Sequence, residues 1–374
     1  MKFILLFFLL FIHSAFALDI KSNSYFLIEA NSNKVLIEKQ ADLKLPPASI
    51  TKIMTAYIVF SQIKSGKIKL NELVLISKTA AKKGGSKMFI ATGSKVSVEN
   101  LLKGMIISSG NDASIALAEY IAGTESEFAK LMNQTAKSLG MKNTNFRNST
   151  GWPDTNHYST PRDIAILARA LILEFPELYK IFSQKEFTFG KSIKGIPITQ
   201  RNRNGLLWLN EINVDGIKTG HTSAAGYCLV SSALRNDMRL ISIVMKTTSP
   251  NSRKKESEKL LKHGLNKFNT KKLLRKNKAI MTVPVWKGDK DNFKVGVIND
   301  VYVTFIQGQE KNIKPSIKVN NNIIAPLNLH SKIGEIIFSL DNKVIRTEPL
   351  VALEPVNTGD FFNNLYDSIM LLFN

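Results

Sequence analysis

Three short motifs in the first two thirds of the chain contain side chains that could perform acyl transfer at a serine. In chain order they are Ser49-Ile50-Thr51-Lys52, Ser109-Gly110-Asn111 and Lys218-Thr219-Gly220. A serine and a lysine three residues apart lie on one face of a helix, so their hydroxyl and amino groups can come within hydrogen-bonding distance. Lys52 is therefore a candidate base for Ser49, provided that burial or a neighbouring cation such as Lys218 lowers the pKa of its amino group.

The pattern Ser-x-x-Lys is permissive, and the chain also matches it at Ser61/Lys64 and Ser252/Lys255. Only Ser49 follows a helix-start sequence, Pro46-Pro47-Ala48, and precedes an apolar periodic run. For an isolated match, the alternative hypothesis is that the serine caps a helix and the lysine is solvated. The two companion motifs argue against that alternative, because all three occur in one order.

The second and third motifs add polar groups that acyl transfer needs. Ser109 could relay a proton to the leaving amine, and Asn111 could hold the substrate amide. The first turn of the helix that carries Ser49 favours the negative charge that develops on the attacked carbonyl. Lys218 and Arg203 suit a free carboxylate, because arginine is a permanently charged, bidentate partner.

Composition excludes several other classes of protein. The 374 residues carry a formal net charge of +21 and are 44% apolar, which predicts two domains with buried cores. The basic residues are spread along the chain without interleaved aromatic side chains, so we expect an anionic membrane surface or wall polymer as partner and no nucleic acid. The histidines lack metal-ligand spacing, and neither a metal nor a cofactor is predicted. Cys228, the only cysteine, lies in an apolar run and is expected to be a buried, unreactive thiol.

The chain begins with the pattern of a secretory signal peptide, assigned to residues 1–17. Lys2 precedes an apolar run that ends at Ile12, and Ala15-Phe16-Ala17 has the small residues of a cleavage site. The apolar run is too short to span a bilayer comfortably. We therefore expect cleavage after Ala17 and a catalytic domain outside the cytoplasm.

Residues 18–270 alternate strand-like and helical patterns, which predicts an α+β domain. The expected elements are a hairpin around residues 31–33, helices capped by Ser97 and by Thr160, and antiparallel strands joined at residues 235–237. A lysine-rich linker is predicted over 271–280 and a small β-sandwich-like domain over 281–355. Its expected strands include residues 301–305, 317–319 and 336–340.

The last segment, residues 356–374, predicts an amphipathic helix that lies in a membrane interface and is too short and polar to span it. Its polar face carries Asp360 and Asp367 instead of lysine or arginine, so we expect apolar burial to drive binding. The alternative is a helix docked on the protein's own surface. The apolar face contains Phe361, Phe362, Leu365, Tyr366, Ile369, Met370, Leu372 and Phe373.

Four stretches resemble the low-molecular-mass penicillin-binding proteins of the D-alanyl-D-alanine carboxypeptidase family: residues 45–52, 108–113, 203–208 and 214–222. The order of signal, catalytic domain, β-rich domain and terminal helix is similar too. The resemblance implies a penicillin-binding/β-lactamase-like transpeptidase fold at the periplasmic face of the inner membrane. It also implies removal of the terminal D-alanine from peptidoglycan pentapeptides through an acyl-serine intermediate, and covalent binding of β-lactam inhibitors.

The same resemblance implies roles for individual residues. Ser49 is the nucleophile and Lys52 the proton acceptor, and the N–H groups of Ser49 and His221 form the oxyanion hole. Thr219 and arginines hold the terminal carboxylate. The matching arginines are Arg203 and Arg253, and the motif residues Lys218 and Gly220 complete the predicted substrate-binding set. A surface arginine without a ligand is the alternative for Arg253.

Three other functions remain to be weighed. A secreted β-lactamase shares the motifs, but no Glu-x-x-Leu-Asn stretch follows the second motif to activate water, and the β-rich domain and terminal helix have no place in it. A D,D-endopeptidase on wall cross-links is closer chemically. A non-enzymatic wall-binding scaffold is the third class. The sequence leaves open whether the chain forms a homodimer.

Overall fold

The structure is a computed structural model that describes residues 18–371, so the predicted signal peptide, residues 1–17, lies outside the described residues. Helices and strands mix along the first part of the chain, which confirms the α+β prediction. The strands of this part are β1 (Ser24–Glu29), β2 (Lys34–Lys39), β3 (Leu73–Leu75), β4 (Lys95–Ser97), β5 (Glu186–Lys191), β6 (Pro197–Arg201), β7 (Val214–Thr222), β8 (Gly226–Arg235) and β9 (Met238–Thr247). The helices are α1 (Lys52–Lys64), α2 (Lys78–Lys82), α3 (Val98–Ile106), α4 (Asn111–Ala122), α5 (Glu125–Leu139), α6 (Pro161–Glu174), α7 (Pro176–Tyr179) and α8 (Pro250–Lys267).

An antiparallel sheet in the order β2-β1-β9-β8-β7 forms the centre of this part. Helix α8 packs against β8 and β9, while α6 packs against β1 and β9. Side chains alternate along β1: Phe26 and Ile28 belong to the larger apolar core, and Leu27 belongs to the core beside α8. Because both faces of the sheet are buried, β7, the edge strand that carries the third motif, is held on a rigid support.

The structure contains the helix caps, the hairpin, the turn and the buried cysteine that the sequence predicts. The side-chain oxygens of Ser97 and Thr160 each accept a backbone N–H at a helix N-terminus, from Asn100 and Asp163 respectively. The hairpin of β1 and β2 and the turn between β8 and β9 form as expected. Cys228 lies in β8 with no exposed surface, and burial raises the pKa of its thiol to about 11, as expected of an unreactive cysteine.

The second part of the chain is all-β. A five-stranded sheet in the order β11-β12-β16-β15-β14 is accompanied by the pair β10-β13, and apolar clusters lie within it. The three expected strands lie within β13, β14 and β15. The strands are β10 (Phe268–Leu274), β11 (Ala279–Pro284), β12 (Asn292–Gly296), β13 (Val301–Ile306), β14 (Ile313–Val319), β15 (Lys332–Leu340) and β16 (Lys343–Ala352).

The connection between the two parts is shorter than the linker predicted over 271–280. Residues 271–274 belong to β10 and pair with β13, so only residues 275–278 are irregular. The lysines of this run have acidic partners: Lys271 Nζ lies 2.5 Å from Glu310 Oε1, and Lys272 Nζ lies 2.7 Å from Asp300 Oδ2. The many lysines of this run are typical of a solvated linker, and this is why the sequence predicted one. The neighbouring carboxylates balance the charge of Lys271 and Lys272 and allow the segment to form a strand.

The buried carboxylate of Glu29 organises the junction between the two parts. It accepts the N–H and hydroxyl of Ser32 at 2.6 and 2.7 Å and the N–H of Arg239 at 2.9 Å. The Ser32 hydroxyl in turn lies 2.6 Å from the hydroxyl of Thr304 in β13. The β domain thus contacts the β1–β2 hairpin, at the sheet edge opposite β7.

The last described element is helix α9 (Phe361–Met370). The carboxylate of Asp360 accepts the Asn363 N–H at 2.8 Å, and the carboxylate of Asp367 accepts the Lys287 N–H of the β domain. The polar face therefore contacts the protein. The large apolar side chains of the helix are more than half exposed at Phe361, Phe362, Leu365, Tyr366 and Ile369. Residues 372–374, including two predicted apolar positions, lie outside the described residues.

Candidate active site

Ser49 lies in a 3₁₀ turn, Ala48–Thr51, that continues directly into α1. Pro47 occupies the N-cap position of this turn, and no side chain forms a capping hydrogen bond there. The hydroxyl of Ser49 is therefore not used as a helix cap. Lys52, one turn later, is 1% exposed, so it is a buried lysine and not a solvated one.

The ammonium nitrogen of Lys52 has three polar neighbours. It lies 2.7 Å from Asn111 Oδ1, 2.8 Å from the carbonyl oxygen of Thr150 and 3.0 Å from Ser49 Oγ. Carbonyl oxygens only accept, whereas a hydroxyl both donates and accepts. In the neutral amine, the two N–H groups can serve the carbonyl oxygens, and the lone pair is then left for the proton of Ser49.

Electrostatics favour that neutral form. Burial, followed by the positive charge of Arg203, lowers the pKa of Lys52 to about 7. Asp112 and Glu125 act in the opposite direction. Near neutral pH the amine is consequently unprotonated in a substantial fraction of molecules. This is the condition under which Lys52 can act as the base for Ser49.

The second buried lysine, Lys218, comes from β7. Its amino group donates to Ser109 Oγ at 2.9 Å, and both side chains are about 2% exposed. Burial, then the charges of Lys52 and Arg203, lower the pKa of Lys218 well below its usual range. Ser109 is thus linked to a group that can exchange protons.

Asn111 begins helix α4 and is held in one orientation. Its Nδ2 donates to the carbonyl of Gly84 at 2.8 Å, which leaves Oδ1 directed at Lys52. The next residue, Asp112, has no exposed surface, and its carboxylate accepts the N–H groups of Met88 and Phe89 at 3.0 and 2.9 Å. The residue that follows the second motif therefore fixes the loop that forms one wall of the site.

Gly220 allows β7 to approach the 3₁₀ turn Ala48–Thr51, which we call the nucleophile turn. A Cβ atom at this position would lie 2.9 Å from the carbonyl oxygen of Pro47 and 3.1 Å from the side chain of Ile50. The close approach places the next residue, His221, beside the turn that carries Ser49. The imidazole of His221 is exposed and stacks on Tyr227, with 4.0 Å between the ring centroids.

Both predicted arginines lie near this cluster. Arg253, in the first turn of α8, donates to the carbonyl of Gly220 at 3.2 Å and lies 5.6 Å from the ring centroid of Tyr227. Its charge helps to lower the pKa of Lys218, and burial lowers the pKa of Arg203. The structure therefore brings the ten predicted catalytic and substrate-binding residues close together, in a site where cations predominate.

A loop that the sequence analysis did not name completes the site. Asn148 Oδ1 accepts the backbone N–H groups of Thr150, Gly151 and Trp152 at 2.8 to 3.2 Å, and its Nδ2 donates to the Trp152 carbonyl at 3.0 Å. This side chain fixes the Thr150 carbonyl that faces Lys52. The run Asn148-Ser149-Thr150-Gly151 predicts a turn by composition. No local signal places that turn beside a lysine almost one hundred residues earlier.

His157, also missed, supports the nucleophile turn from behind. Its Nε2 lies 3.0 Å from the hydroxyl of Thr51, and the ring is 3% exposed. Burial lowers the pKa of the imidazole to about 4, so it is neutral at physiological pH. A buried neutral ring adds no charge to the site.

Ser49 and Asn111 line a cleft of about 460 Å³. Among the described residues, those that line it include no carboxylate. They are Ser49, Gly85, Ser86, Asn111, Thr150, Gly151, Trp152, Pro153, His221, Thr222, Ser223 and Ala224.

Comparison with known proteins gives a consistent result across the chain. Residues 12–249 match the family model described as D-alanyl-D-alanine carboxypeptidase, and residues 268–358 match the C-terminal domain of penicillin-binding protein 5. D-alanyl-D-alanine carboxypeptidase DacA of Escherichia coli is 44% identical over 95% of this chain and 89% of its own length. DacC of the same organism is 43% identical over 98% of this chain and 94% of its own length.

Among solved structures, penicillin-binding protein 5 from Haemophilus influenzae superposes with a TM-score of 0.84 at 42% identity. The match covers 91% of this chain and 98% of that one. The likeness therefore includes the β domain as well as the part that carries the three motifs.

A pair of glycine substitutions tests the contact between the loop at residues 148–152 and the nucleophile turn. Gly151 has a φ of +80°, and a Cβ there would lie 1.8 Å from the carbonyl oxygen of Ala48. Gly66 has a φ of +75° with no heavy atom within 4 Å of such a Cβ. Gly66→Ala should cost about 1–2 kcal/mol of unfolding free energy, and Gly151→Ala about 3 kcal/mol or more, because overpacking is added. Urea unfolding measures both losses, and equal losses would contradict the contact.

Proposed function

This chain belongs to the D-alanyl-D-alanine carboxypeptidase family of penicillin-binding proteins, and we propose that it removes the terminal D-alanine from peptidoglycan pentapeptide side chains. The observation that carries the proposal is the pair formed by Ser49 and Lys52. A serine hydroxyl lies 3.0 Å from a buried amine whose pKa is lowered to about 7. Such a pair is suited to acyl transfer at neutral pH.

In the first step, Ser49 Oγ attacks the carbonyl of the penultimate D-alanine while its proton passes to Lys52 Nζ. The backbone N–H groups of Ser49 and His221 stabilise the oxyanion. Collapse of the tetrahedral intermediate breaks the peptide bond and leaves an acyl ester on Ser49. The departing amine needs a proton: Lys52 gives up the one it took from Ser49, and Ser109, hydrogen-bonded to Lys218, relays it to the amine, so Lys52 is neutral again.

In the second step, water attacks the ester and transfers a proton to Lys52. Lys52 passes this proton to Ser49 Oγ as the ester bond breaks and the shortened peptide leaves. Asn111 holds the amide of the substrate during both steps. No carboxylate lines the described cleft to activate this water. The observation favours the carboxypeptidase over a β-lactamase, which hydrolyses its acyl-enzyme rapidly.

The surplus of cations explains the choice of a free C-terminus. Arg203, Arg253 and Lys218 lie close enough together to lower one another's affinity for a proton: both arginines lower the pKa of Lys218, and Arg203 lowers that of Arg253, so burial of this cluster is costly. A substrate carboxylate relieves that cost through bidentate and charge-assisted hydrogen bonds. β-Lactams carry a carboxylate and an acylating amide, so they acylate the same serine.

We also propose that the mature protein attaches to the outer face of the cytoplasmic membrane through α9. The polar face of this helix contacts the β domain, and its acidic residues serve as N-cap and docking group, so they need not face lipid headgroups. The apolar face is free to enter the interface. Within residues 18–371, none of the helices combines the length and the hydropathy that spanning a bilayer requires.

The decisive experiment quantifies D-alanine released from wall pentapeptide by the mature protein and by Ser49→Ala. The wild type should release D-alanine and become labelled by fluorescent penicillin, and the variant should do neither while unfolding at the same temperature, since Ser49 caps no helix. A label that maps to Ser61 or Ser252 would contradict the assignment. Cleavage of a cross-linked peptide dimer would reveal endopeptidase activity. A wild-type protein that penicillin does not label would instead support the non-enzymatic wall-binding scaffold.

The role of Lys52 predicts a pH dependence. Because its pKa is lowered to about 7, the neutral amine increases as pH rises through that value, and the rate of acylation by penicillin should increase with it. Lys52→Arg keeps the charge but does not deprotonate in this range, so acylation should fall at least ~100-fold. Lys67→Arg, in the exposed turn after α1, is the control and should match the wild type. A pH-independent rate would show that another group is the base.

Membrane attachment can be tested by two substitutions that add the same charge. Leu365→Asp removes an exposed apolar side chain, which contributes roughly 1.5–3 kcal/mol on full burial, whereas Asn363→Asp replaces an exposed polar one. Binding to anionic vesicles should weaken at least ~10-fold for the first and little for the second. Deletion of residues 360–374 should release active enzyme, and salt should extract the intact protein only partly. Equal weakening by both substitutions would mean that the apolar face does not enter the membrane.

A further inference from the structure

Ser149 is held by hydrogen bonds on both sides, one residue before the Thr150 carbonyl that faces Lys52. Its own carbonyl oxygen accepts the hydroxyl groups of Thr55 in α1 and Ser114 in α4, at 2.7 and 2.8 Å. The side chains of these three hydroxyl-bearing residues have no exposed surface. The carbonyl side of Ser149 is therefore anchored to two helices of the site.

The amide side of the same residue is held by Glu125. Its Oε1 accepts the Ser149 N–H at 3.0 Å and the Ser149 hydroxyl at 2.7 Å. One carboxylate oxygen thus accepts both donors of Ser149, and charge-assisted hydrogen bonds of this kind are stronger than neutral ones. The chain continues to Thr150, whose carbonyl oxygen lies 2.8 Å from Lys52 Nζ. Glu125 therefore helps to place an acceptor that Lys52 uses.

Glu125 is also the first residue of α5, which Thr124 caps. Because the helix dipole favours an acidic side chain in the first turn, a role limited to the helix end is the alternative explanation for this residue. Glu127 lies in the same turn and carries the same charge, but its carboxylate is exposed and pairs with Lys130 Nζ at 2.7 Å. The two acids share the helix end, and Glu125 is the one that binds the loop at residues 148–152.

Charges of both signs act on the amine of Lys52. Burial is the main reason that its pKa is lowered to about 7, and two cations add to this effect. They are Arg203 and Lys83. The carboxylates of Asp112, in α4, and of Glu125 act in the opposite direction. Lys218, from β7, is near enough for the charge of Lys52 to lower its pKa in turn. Glu125 thus reaches Lys52 both through its charge and through the hydrogen-bonded loop.

We propose that Glu125 is a positioning residue for acyl transfer: it fixes the Thr150 carbonyl through Ser149, and its charge acts on the amine that this carbonyl orients. The hydrogen bonds keep one N–H of Lys52 on the carbonyl, so that the lone pair stays directed at the nucleophile. The charge keeps a larger fraction of the amine protonated near neutral pH. A group that takes up and gives back the same proton works best when its pKa lies near the working pH. The inference rests on the proposed carboxypeptidase function and adds a residue to its machinery.

The variant Glu125→Gln separates the charge from the hydrogen bonds, because its amide oxygen still accepts both donors of Ser149. Without the negative charge the pKa of Lys52 falls, and the neutral amine forms at lower pH. The second-order rate constant of acylation by fluorescent penicillin is measured as a function of pH. Its midpoint should fall by at least ~0.3 pH unit, which makes the variant ~2-fold faster than the wild type at about pH 6. The rate at high pH should stay close to that of the wild type.

The variant Glu125→Ala removes the hydrogen bonds together with the charge. The midpoint should fall as it does for Glu125→Gln, and the rate at high pH should also fall, at least ~10-fold, because the Thr150 carbonyl is no longer held in place. Glu127→Gln is the matched control: it removes the same charge from the same helix turn and should leave the midpoint and the high-pH rate at wild-type values.

Each result distinguishes the inference from its alternatives. Midpoints that Glu125→Gln and Glu127→Gln leave unchanged, or shift equally, would overturn the role of the Glu125 charge. Equal high-pH rates for Glu125→Ala and Glu125→Gln would show that the hydrogen bonds to Ser149 do not position the base. Both results would leave the acylation of Ser49 intact, whereas a wild-type protein that penicillin does not acylate would overturn the proposed function itself.

Discussion

The burial of Lys52 against Ser49 is the interaction on which the rest of the site depends. A lysine shielded from water loses much of its affinity for a proton, and two fixed carbonyl acceptors, from Asn111 and Thr150, leave its lone pair for the serine hydroxyl. Burial alone would be costly, because an unpaired ammonium group in a low-dielectric site is destabilising. The protein therefore surrounds this amine with acceptors that suit the neutral form as well as the charged one.

Those acceptors come from segments far apart in the chain, and small residues allow them to meet. Gly220 lets β7 approach the nucleophile turn, and Gly151 lets the loop after Asn148 contact the carbonyl of Ala48. Lys218 adds a second buried amine, and burial, then the charge of Lys52, makes its protonation less favourable. Burial is the main cause of both lowered pKa values, and repulsion by neighbouring cations adds to it; the same cations create the positive potential that attracts a carboxylate. The cations around the two lysines therefore contribute both to the lowered pKa values and to the choice of substrate.

Residue pattern alone predicted the hairpin, the helix caps, the buried cysteine and the three motifs, because each depends on neighbours within a few positions. The family resemblance supplied the order of domains. Pattern failed where partners are distant: Lys271 and Lys272 suggested a linker until Glu310 and Asp300 were placed beside them. It also missed Asn148 and His157. Their roles depend on contacts with residues distant in the sequence: His157 contacts Thr51, and Asn148 fixes the Thr150 carbonyl that faces Lys52. Long-range contacts of this kind leave no periodic signal.

The two edges of the central sheet contact different parts of the protein. Strand β7 at one edge presents His221 and Thr222 to the cleft, while the β1–β2 hairpin at the other edge joins the β domain through Glu29 and Ser32. The β domain in turn holds α9 by its polar face through Asp367. Because each acidic group of that helix already has a backbone N–H partner, its apolar face can enter a lipid interface without burying an unpaired charge. Attachment and catalysis therefore use separate surfaces, and neither competes with the other for the edge that receives the peptide.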